Sequence, residues 1–239
     1  MPRILIILPA YNEAANIERT VRNVRAACPS AAVLVVNDGS ADDTGEKARQ
    51  AGALVVHLPY NVGIGSAVQT AFRFAQTYGY DIVVRNDGDG QHAPEGIARL
   101  VDRLQQGDVD IVIGSRFLSN GDYGTPAARL IGIGVLRWLL SRIAQQPITD
   151  PTSGFAAFNA RAIALFAQVY PHDYPEPEAI VLARRAGLRL CEIPVQMLPR
   201  VGGRSSITPL RSVYYMFKVV LAILINLLRE RETLPPHGT

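Results

Sequence analysis

The sequence predicts an α/β fold in which a mostly parallel central sheet is flanked by helices. Short runs of Val, Ile and Leu alternate with longer segments of helical spacing through the first half of the chain, as in repeated strand and helix units. These apolar runs are nearly continuous, which is typical of strands covered on both faces. Polar residues follow several of the runs, so we expect ligands to bind beyond the carboxyl ends of the strands.

Five strands and four helices are predicted in the first half. The strands are Ile4–Leu8, Ala32–Val36, Ala53–His57, Asp81–Arg85 and Asp110–Gly114. The helices lie at about Glu13–Ala27, Asp42–Ala51, Ile64–Tyr78 and Pro94–Gln105.

The second half has a different pattern. Its predicted elements are a helix at Ala127–Gln145, a strand-like segment at Ser153–Asn159, a helix at Ala160–Val169, a proline-broken stretch at Tyr170–Glu178, a further helix and a strand at Arg189–Ile193. A basic, glycine-rich loop at Arg200–Ser206 precedes a long apolar helix at about Pro209–Arg229.

Composition narrows the class of protein. The chain has 239 residues, 48% hydrophobic and 19% charged, which suffices for a full core. A net charge of +3 provides no global basic field, so we expect no nucleic-acid partner. Cys28 and Cys191 are too far apart in sequence for a zinc knuckle or disulfide framework and suit a reducing compartment, so we expect a cytoplasmic location.

The strand that ends at Arg85 is followed by the motif Asp87-Gly88-Asp89. Hard divalent cations prefer oxygen ligands, and Mg²⁺ commonly binds one or two carboxylates together with phosphate oxygens. The glycine allows a sharp turn that brings both carboxylates to one ligand. An ordinary polar turn is the alternative, because Asp and Gly are common turn residues.

Polar groups also follow the first two strands. Tyr11 and Glu13 come after the first, and Asp38 comes after the second, each beside a predicted helix start where backbone N–H groups favour anions. Ser40 and Asp42 are best interpreted as helix caps. Asp38 is the better ligand candidate, because a buried carboxylate without a partner would be costly.

These segments carry a family resemblance. The first-half motifs are Ile-Leu-Pro-Ala-Tyr-Asn-Glu, Val-Asn-Asp-Gly-Ser-Ala-Asp-Asp-Thr, Asn-Val-Gly-Ile-Gly and Asp-Gly-Asp-Gly-Gln-His. The second-half motifs are Gly-Ser-Arg-Phe, Asp-Pro-Thr-Ser-Gly-Phe, Glu-Ile-Pro-Val and Arg-Val-Gly-Gly-Arg-Ser. Together they resemble family 2 glycosyltransferases of the GT-A fold, and the later motifs resemble the dolichyl- or polyprenyl-phosphate sugar synthase branch. The match spans about residues 4–228, and the order and spacing of the motifs make it specific.

The resemblance implies a Rossmann-like GT-A domain over residues 1–230. Residues 1–115 would form its nucleotide-sugar half and residues 116–230 its acceptor half, followed by a flexible tail at 231–239. Larger relatives add transmembrane helices, whereas the apolar stretch here carries Lys218 and Asn226, so we expect a chain that does not cross the bilayer.

The resemblance also implies roles for individual residues. The nucleotide pocket would be lined by Pro9, Tyr11 and Glu13, with Asp38 reading the base of a UDP- or GDP-linked sugar. Asp87 would hold the ribose or the metal. Asp89 and Gln91 would coordinate Mg²⁺ or Mn²⁺ at the diphosphate.

Cationic side chains are expected to offset the negative charge on the departing diphosphate of an inverting transfer. The guanidinium group of arginine can donate two parallel hydrogen bonds to phosphate oxygens. The candidates for this role are Arg116, Arg129, Arg200 and Arg204. The family match favours Arg116 and Arg200 as catalytic groups. Any of the four could instead be a solvated surface arginine.

The acceptor decides whether a base is needed. A hydroxyl acceptor must lose a proton, whereas a lipid phosphate is already largely anionic at neutral pH. The acidic cluster of the acceptor half contains Glu176 and Glu178. Glu178 is the candidate base, and the alternatives are that it supports a neighbouring group of the site or that its role is structural. We expect a lipid phosphate acceptor, with a hydroxyl on a lipid-linked or polysaccharide glycan as the alternative and a non-catalytic membrane-surface scaffold as a remote one.

The helices Ala127–Gln145 and Pro209–Arg229 mix apolar, aromatic and basic residues, as helices at a membrane surface do. We expect peripheral contact with the cytoplasmic face of a membrane. Packing on the core, or on a second subunit of a homo-oligomer, is the alternative. A dinucleotide-binding fold is disfavoured, because Val68 stands where its fingerprint requires a third glycine.

Overall fold

The computed structural model describes residues 1–86, 95–118, 127–196 and 218–223, with only the helical backbone at 127–129 and 131. In these residues the chain forms one seven-stranded sheet of order β3-β2-β1-β4-β6-β5-β7. The strands are β1 (Ile4–Ala10), β2 (Ala32–Asn37), β3 (Leu54–His57), β4 (Ile82–Arg85), β5 (Ile111–Ser115), β6 (Ala156–Asn159) and β7 (Leu190–Pro194).

The sheet is mostly parallel, as the sequence predicts. Pairs β1–β2, β1–β4, β2–β3 and β5–β7 are parallel, whereas β6 runs antiparallel to both β4 and β5. Strand β6 begins at the edge where its neighbours end, since Ala156 pairs with Arg85 and with Ile113. The segment before β6 therefore reaches the carboxyl edge of the parallel strands.

Seven helices are labelled in the described residues: α1 (Ile17–Ala27), α2 (Thr44–Gln50), α3 (Ile64–Thr77), α4 (Glu95–Gln105), α5 (Ala127–Ala144), α6 (Ala160–Gln168) and α7 (Pro175–Arg185). Residues 218–223 are also helical. None of the helices in this part of the chain combines the length and apolarity needed to cross a membrane.

Two predicted helix boundaries need correction. Helix α1 starts at Ile17 because the carbonyl of Glu13 accepts hydrogen bonds from the amides of Asn16 and Ile17 in a preceding turn. Helix α7 starts at Pro175, inside the stretch predicted to be broken. Prolines in a first helical turn cost no hydrogen bond, because the amides there have no partner within the helix.

Two apolar clusters cover the sheet. Alternate strand residues face opposite sides, so Leu5 and Ile7 belong to one cluster while Ile6 and Leu8 belong to the other. The first cluster contains residues of α3, α5, α6, α7 and the segment 218–223. The second contains residues of α1, α2 and α4. Both faces are buried, which leaves the strand ends as the place for a ligand.

Candidate functional site

The strand order reverses at β1. From β1 the chain proceeds to β2 and β3 on one side, and then places β4 on the other side. In open α/β sheets such a reversal opens a crevice at the carboxyl ends, where ligands bind. The carboxyl ends of β1 and β4 border this crevice. In the sequence, the predicted pocket motif and the predicted metal motif directly follow these two strands.

The end of β2 is locked to the turn before α3 through Asp38. This carboxylate is 4% exposed, and its oxygens accept hydrogen bonds from the amides of Val62 (2.8 Å) and Gly63 (3.0 Å). The burial expected of Asp38 is therefore present, but its partners are protein amides, so no ligand is needed to balance it. Its reading of a nucleobase stays a prediction.

Gly39 makes the close approach between these two segments possible. Its φ is +66°, and a Cβ there would lie 2.3 Å from the carbonyl carbon of Tyr60. A side chain at residue 39 would therefore push the turn at 60–63 away from Asp38.

The loops after β1 and β2 are joined by reciprocal hydrogen bonds. The amide of Asn12 donates to Ser40 Oγ (2.9 Å), and the amide of Ala41 donates to Asn12 Oδ1 (2.9 Å). The Glu13 amide donates to Thr44 Oγ1 (2.8 Å). The loop that carries Tyr11 is thereby held against the end of β2.

The predicted capping by Ser40 and Asp42 is wrong, because the N-cap of α2 is Asp43, whose side chain makes no capping hydrogen bond. Asp42 instead strengthens the junction between the two loops. Its carboxylate accepts from the amides of Thr44 (3.1 Å) and Ala14 (3.1 Å). Desolvation acts to raise the pKa of Asp42, but the hydrogen bonds from Thr44 and Ala14 outweigh it, so the pKa lies below its ordinary value. The structure thus brings together four predicted pocket residues at the end of this half of the sheet: Pro9, Tyr11, Glu13 and Asp38.

Several predicted site residues lie outside the described residues. These are Asp87, Asp89, Gln91, Arg200 and Arg204, together with the side chain of Arg129. In the part of the chain that is described, no group of three or more His, Cys, Asp or Glu side chains could hold a metal ion. Asn86, next to the motif, is 2% exposed, and its Oδ1 atom has no hydrogen-bond partner among the described residues. An unsatisfied oxygen at this strand end fits the oxygen-rich surroundings that Mg²⁺ and Mn²⁺ prefer.

Arg116 follows β5 and binds Asp150 through a fork. Its Nε donates to Asp150 Oδ2 (2.7 Å), its Nη2 donates to Asp150 Oδ1 (2.7 Å), and its backbone amide donates to Oδ2 (3.0 Å). Nη2 also donates to Thr152 Oγ1 (2.6 Å). The guanidinium is therefore held in one orientation by a buried carboxylate. A catalytic role for Arg116 stays a prediction.

A second carboxylate supports this arrangement from β7. Glu192 accepts from the amide and hydroxyl of Thr149 (both 2.7 Å) and from the amide of Asp150 (2.9 Å). In the sequence, the motifs containing Asp150 and Glu192 indicate only the family resemblance. Their contacts around Arg116 are not predictable from it, because nothing local in sequence joins the three residues.

Arg137 was also missed. Its guanidinium lies over the ring of Phe117, 4.0 Å from the centroid, and its Nε donates to the carbonyl of Thr149. Helix α5 is thereby attached to the end of β5. The sequence shows Arg137 only as one of three arginines on this helix, with no signal for its contact with Phe117.

The acidic cluster of the acceptor half lies in the first turn of α7. Glu178 is half-buried there, and its amide donates to the carbonyl of Tyr174. Glu176 accepts a charge-assisted hydrogen bond from Arg85 Nη2 at 2.6 Å. The role of general base for Glu178 stays a prediction. Glu176, in contrast, is paired with Arg85. Arg85 is not among the predicted site residues, although a charged residue that ends an otherwise apolar strand is a signal in the sequence.

A pocket lies between the sheet and helices α6 and α7. Its lining is mainly apolar: Ile111, Ile113, Ala156, Phe158, Phe166, Ala179, Ile180 and Leu190, with Arg85, Ser153, Gly154, Tyr170 and Glu176. The ion pair of Arg85 and Glu176 therefore borders an apolar space.

Known proteins are similar in sequence to this chain. Residues 5–166 match the model of glycosyl transferase family 2. A polyprenol monophosphomannose synthase of Mycolicibacterium smegmatis is 31% identical over 227 residues, covering 91% of this chain and 85% of that protein. An undecaprenyl-phosphate mannosyltransferase of Micrococcus luteus is 33% identical over 219 residues, covering 86% of this chain and 88% of that protein.

A solved structure supports the fold. Glucosyl-3-phosphoglycerate synthase from Mycobacterium tuberculosis, in complex with Mn²⁺, UDP and glucosyl-3-phosphoglycerate, superposes with a TM-score of 0.69 at 23% identity, covering 94% of this chain and 79% of that one. The α/β architecture is that of the GT-A glycosyltransferases. With more than half of its residues matching the family model, this chain belongs to glycosyl transferase family 2.

Proposed function

We propose that this protein is an inverting, metal-dependent glycosyltransferase that moves a sugar from a UDP- or GDP-linked donor to a polyprenyl or dolichyl phosphate. The observation that carries the donor half of the proposal is the crevice at the strand reversal. The locked loops of β1 and β2 border it on one side, and the Asp87-Gly88-Asp89 motif follows β4 on the other. The lipid phosphate acceptor is supported by the names of two relatives at 31% and 33% identity.

Each half of the chain has its own task in this proposal. Residues 1–115 bind the nucleotide sugar, with Pro9, Tyr11 and Glu13 around the nucleotide and Asp38 at its base. Asp89 and Gln91, with Asp87, hold Mg²⁺ or Mn²⁺, which when bound neutralises charge on the diphosphate. A neighbour of the same fold was solved with Mn²⁺ and UDP, which supports the use of a divalent cation.

The acceptor half supplies positive charge. An oxygen of the lipid phosphate attacks the anomeric carbon, and the bond from that carbon to the diphosphate breaks, releasing the nucleoside diphosphate. Arg116, which is held by Asp150, offsets the negative charge of the departing diphosphate and of the lipid phosphate together with Arg200. Arg129 and Arg204 assist them. No proton has to be removed from an ionised phosphate, so this reaction needs no general base.

Contact with a membrane surface follows from the acceptor. Helix α5 exposes Leu130, Val135 and Trp138 at 45%, 49% and 64%, with exposed Arg142 on the same helix. Exposed apolar and aromatic side chains beside a cation suit the headgroup region of a bilayer. Free Cys28 and Cys191 suit the cytoplasmic face.

The test is transfer of sugar from UDP- and GDP-sugars to polyprenyl phosphate in detergent with Mn²⁺, measured as sugar extracted into the organic phase. We expect one donor to give a sugar phospholipid. Asp89→Ala should reduce transfer by at least about a hundredfold, since a metal provides several kcal/mol of charge stabilisation. No lipid product from any donor would refute the acceptor, and full metal-dependent turnover by Asp89→Ala would refute the metal assignment.

A hydroxyl acceptor is the second candidate, favoured by the half-buried Glu178 in the first turn of α7. A general base contributes about 10²–10⁴-fold to rate. Under the leading proposal, Glu178→Gln leaves transfer to polyprenyl phosphate within a few-fold of the unaltered enzyme. A loss of a hundredfold or more, with donor binding unchanged, would contradict a reaction that needs no general base.

A further inference from the structure

Arg137 on helix α5 places a second guanidinium group beside Arg116 at the end of β5. Its side chain is half-buried, its Nε donates to the carbonyl of Thr149, and its Cζ lies 4.0 Å from the centroid of the Phe117 ring. The Cζ of Arg116 lies 5.8 Å from the centroid of the same ring. Two cationic groups therefore lie against one aromatic ring, and these contacts fix the direction of the Arg137 side chain.

Arg137 has no counter-charge among the residues that the structure describes. Arg116, in contrast, is paired with Asp150, whose two oxygens both accept hydrogen bonds from it. The other carboxylate of this region, Glu192, accepts from Thr149 and from the amide of Asp150. Within the described ranges, no carboxylate oxygen lies 4.0 Å or less from a nitrogen of Arg137. An unpaired charge in a half-buried position is costly, so it favours an anionic partner.

One nitrogen atom of Arg137 also lacks a hydrogen bond. Nη2 is buried, and in the described part of the chain no acceptor reaches it. Nearly all buried polar groups in native proteins are hydrogen-bonded, and an unsatisfied one needs an explanation such as a catalytic or binding role. An anion with several acceptor oxygens would satisfy both the charge and the donor. A phosphate group is such an anion, because arginine can donate two parallel hydrogen bonds to it.

The place of Arg137 in the fold favours the acceptor phosphate over the diphosphate of the donor. The donor crevice lies where β1 and β4 are neighbours, whereas β6 separates β4 from β5. Neighbouring strands are about 4.8 Å apart, so the end of β5 is about 10 Å from the end of β4. Arg116, the other cation at the Phe117 ring, directly follows β5.

We propose that Arg137 binds the phosphate group of the acceptor together with Arg116, and that it favours a phosphorylated acceptor over one that presents a hydroxyl. Charge-assisted hydrogen bonds shielded from water are stronger than those at an exposed surface, and Nη2 is a shielded donor. A neutral hydroxyl carries no charge to compensate that of Arg137, so this guanidinium adds discrimination as well as affinity. The inference rests on the proposed function, because it takes a lipid phosphate as the acceptor.

Arg137→Gln tests it, since the amide remains polar but lacks the charge and the paired donors of the guanidinium. The probe is farnesyl phosphate, a short polyprenyl phosphate, whose binding is measured by calorimetry, with inorganic phosphate titrated separately. We expect the Kd for farnesyl phosphate and the KM for polyprenyl phosphate to rise by about tenfold to a hundredfold, the effect of losing a hydrogen bond between charged groups. The KM for the donor should stay nearly unchanged. Arg137→Lys keeps the charge but not the two parallel donors, so its loss should be smaller.

Arg73→Gln is the matched control. Arg73 on α3 also donates through its Nε to a carbonyl of another element, that of Ala167 in α6 (3.0 Å). This variant removes a guanidinium that joins two elements, so it should lower the melting temperature as Arg137→Gln does, but leave the Kd for farnesyl phosphate unchanged. The comparison separates phosphate binding from the attachment of α5 to the sheet.

Three results with the variants would overturn the inference. One is an unchanged Kd for farnesyl phosphate in Arg137→Gln, and another is an equal rise in Arg73→Gln, which would indicate general loosening. The third is a KM for the donor that rises as much as the KM for the acceptor, which would place Arg137 at the donor diphosphate.

Two results with the unaltered protein are also decisive. If inorganic phosphate binds as tightly as farnesyl phosphate, the site is one for free phosphate and its assignment to the acceptor is wrong. If the unaltered protein binds no farnesyl phosphate and transfers no sugar to polyprenyl phosphate, the proposed function fails as well, and this is visible before any variant is compared.

Discussion

Asp150→Asn should destabilise the protein and weaken the proposed acceptor site together. Asp150 Oδ2 accepts from the amide and Nε of Arg116, and Oδ1 accepts from Nη2 of Arg116. An asparagine can present an oxygen to only one of these two sides, and its NH₂ group then faces the donors on the other. The carboxylate is 0% exposed in its side chain, so water does not replace the lost acceptor.

The magnitude follows from these contacts. A hydrogen bond to a charged group contributes about 1.5–3 kcal/mol, against about 0.5–1.5 kcal/mol for a neutral one. Asp150→Asn weakens the hydrogen bonds on one side of the carboxylate and places an NH₂ group against the donors on the other side. The free energy of unfolding should therefore fall by about 2–3 kcal/mol, after allowing for the 19% exposure of Arg116. In urea unfolding we therefore expect a lower midpoint at an unchanged slope.

The control is Glu46→Gln, which breaks the pair of Glu46 with Arg49, where both side chains are 56% exposed. Surface pairs of this kind contribute less than about 1 kcal/mol. Asp150→Asn should also raise the KM for polyprenyl phosphate more than the KM for the donor. If its unfolding free energy falls no further than that of Glu46→Gln, the structural role assigned to Asp150 is wrong.

Two further predictions concern the fold and the donor site. Burial acts to raise the pKa of Asp110, but hydrogen bonds from Arg189 and Asn159 and the charge of Arg161 outweigh it, so its pKa lies below the ordinary 3.8. Ionised Asp110 therefore stabilises the folded state above its unfolded-state pKa, and this stabilisation is lost as the pH falls through its folded-state pKa. Urea unfolding measured from pH 6 downwards should show the decline in the free energy of unfolding. Asp110→Asn should make this pH dependence weaker. Gly39→Ala should lower the melting temperature and donor affinity, since it combines a φ of +66° with a 2.3 Å approach to Tyr60. Gly107→Ala, at φ +81° with open space around it, should show only the backbone cost of about 1–2 kcal/mol, and equal effects of the two changes would contradict the close approach.

The elements predicted from local patterns are largely confirmed. All five strands of the first half appear at or near their predicted positions, because a run such as Leu34–Val36 can be buried on both faces only inside a covered sheet. Helix α3 follows its prediction closely, because its apolar residues repeat at helical spacing. The first residues of α1 and α7 differ from their predicted positions. Hydrogen bonds in the preceding loop set the start of α1, and prolines in the first turn set the start of α7, and hydrophobic periodicity reflects neither of them.

The site was predicted less completely than the fold. Asp38 was identified as a buried carboxylate, but its partners in the turn of Val62 and Gly63 were not, because β3 separates them in sequence. Arg116 was identified through its motif, and its fork onto Asp150 was not. The antiparallel direction of β6 was not predicted either, since apolar patterning is the same for both directions.

By itself, the sequence determined the α/β class, the alternation of strands and helices and the family motifs, because these depend on residues that are close together along the chain. Only the tertiary structure decided which charges meet. Arg85 binds Glu176 across 91 positions, and Arg116 binds Asp150 across 34. Such pairs depend on which strands lie side by side and on the direction in which each runs, and that arrangement results from the packing of the whole sheet against its helices.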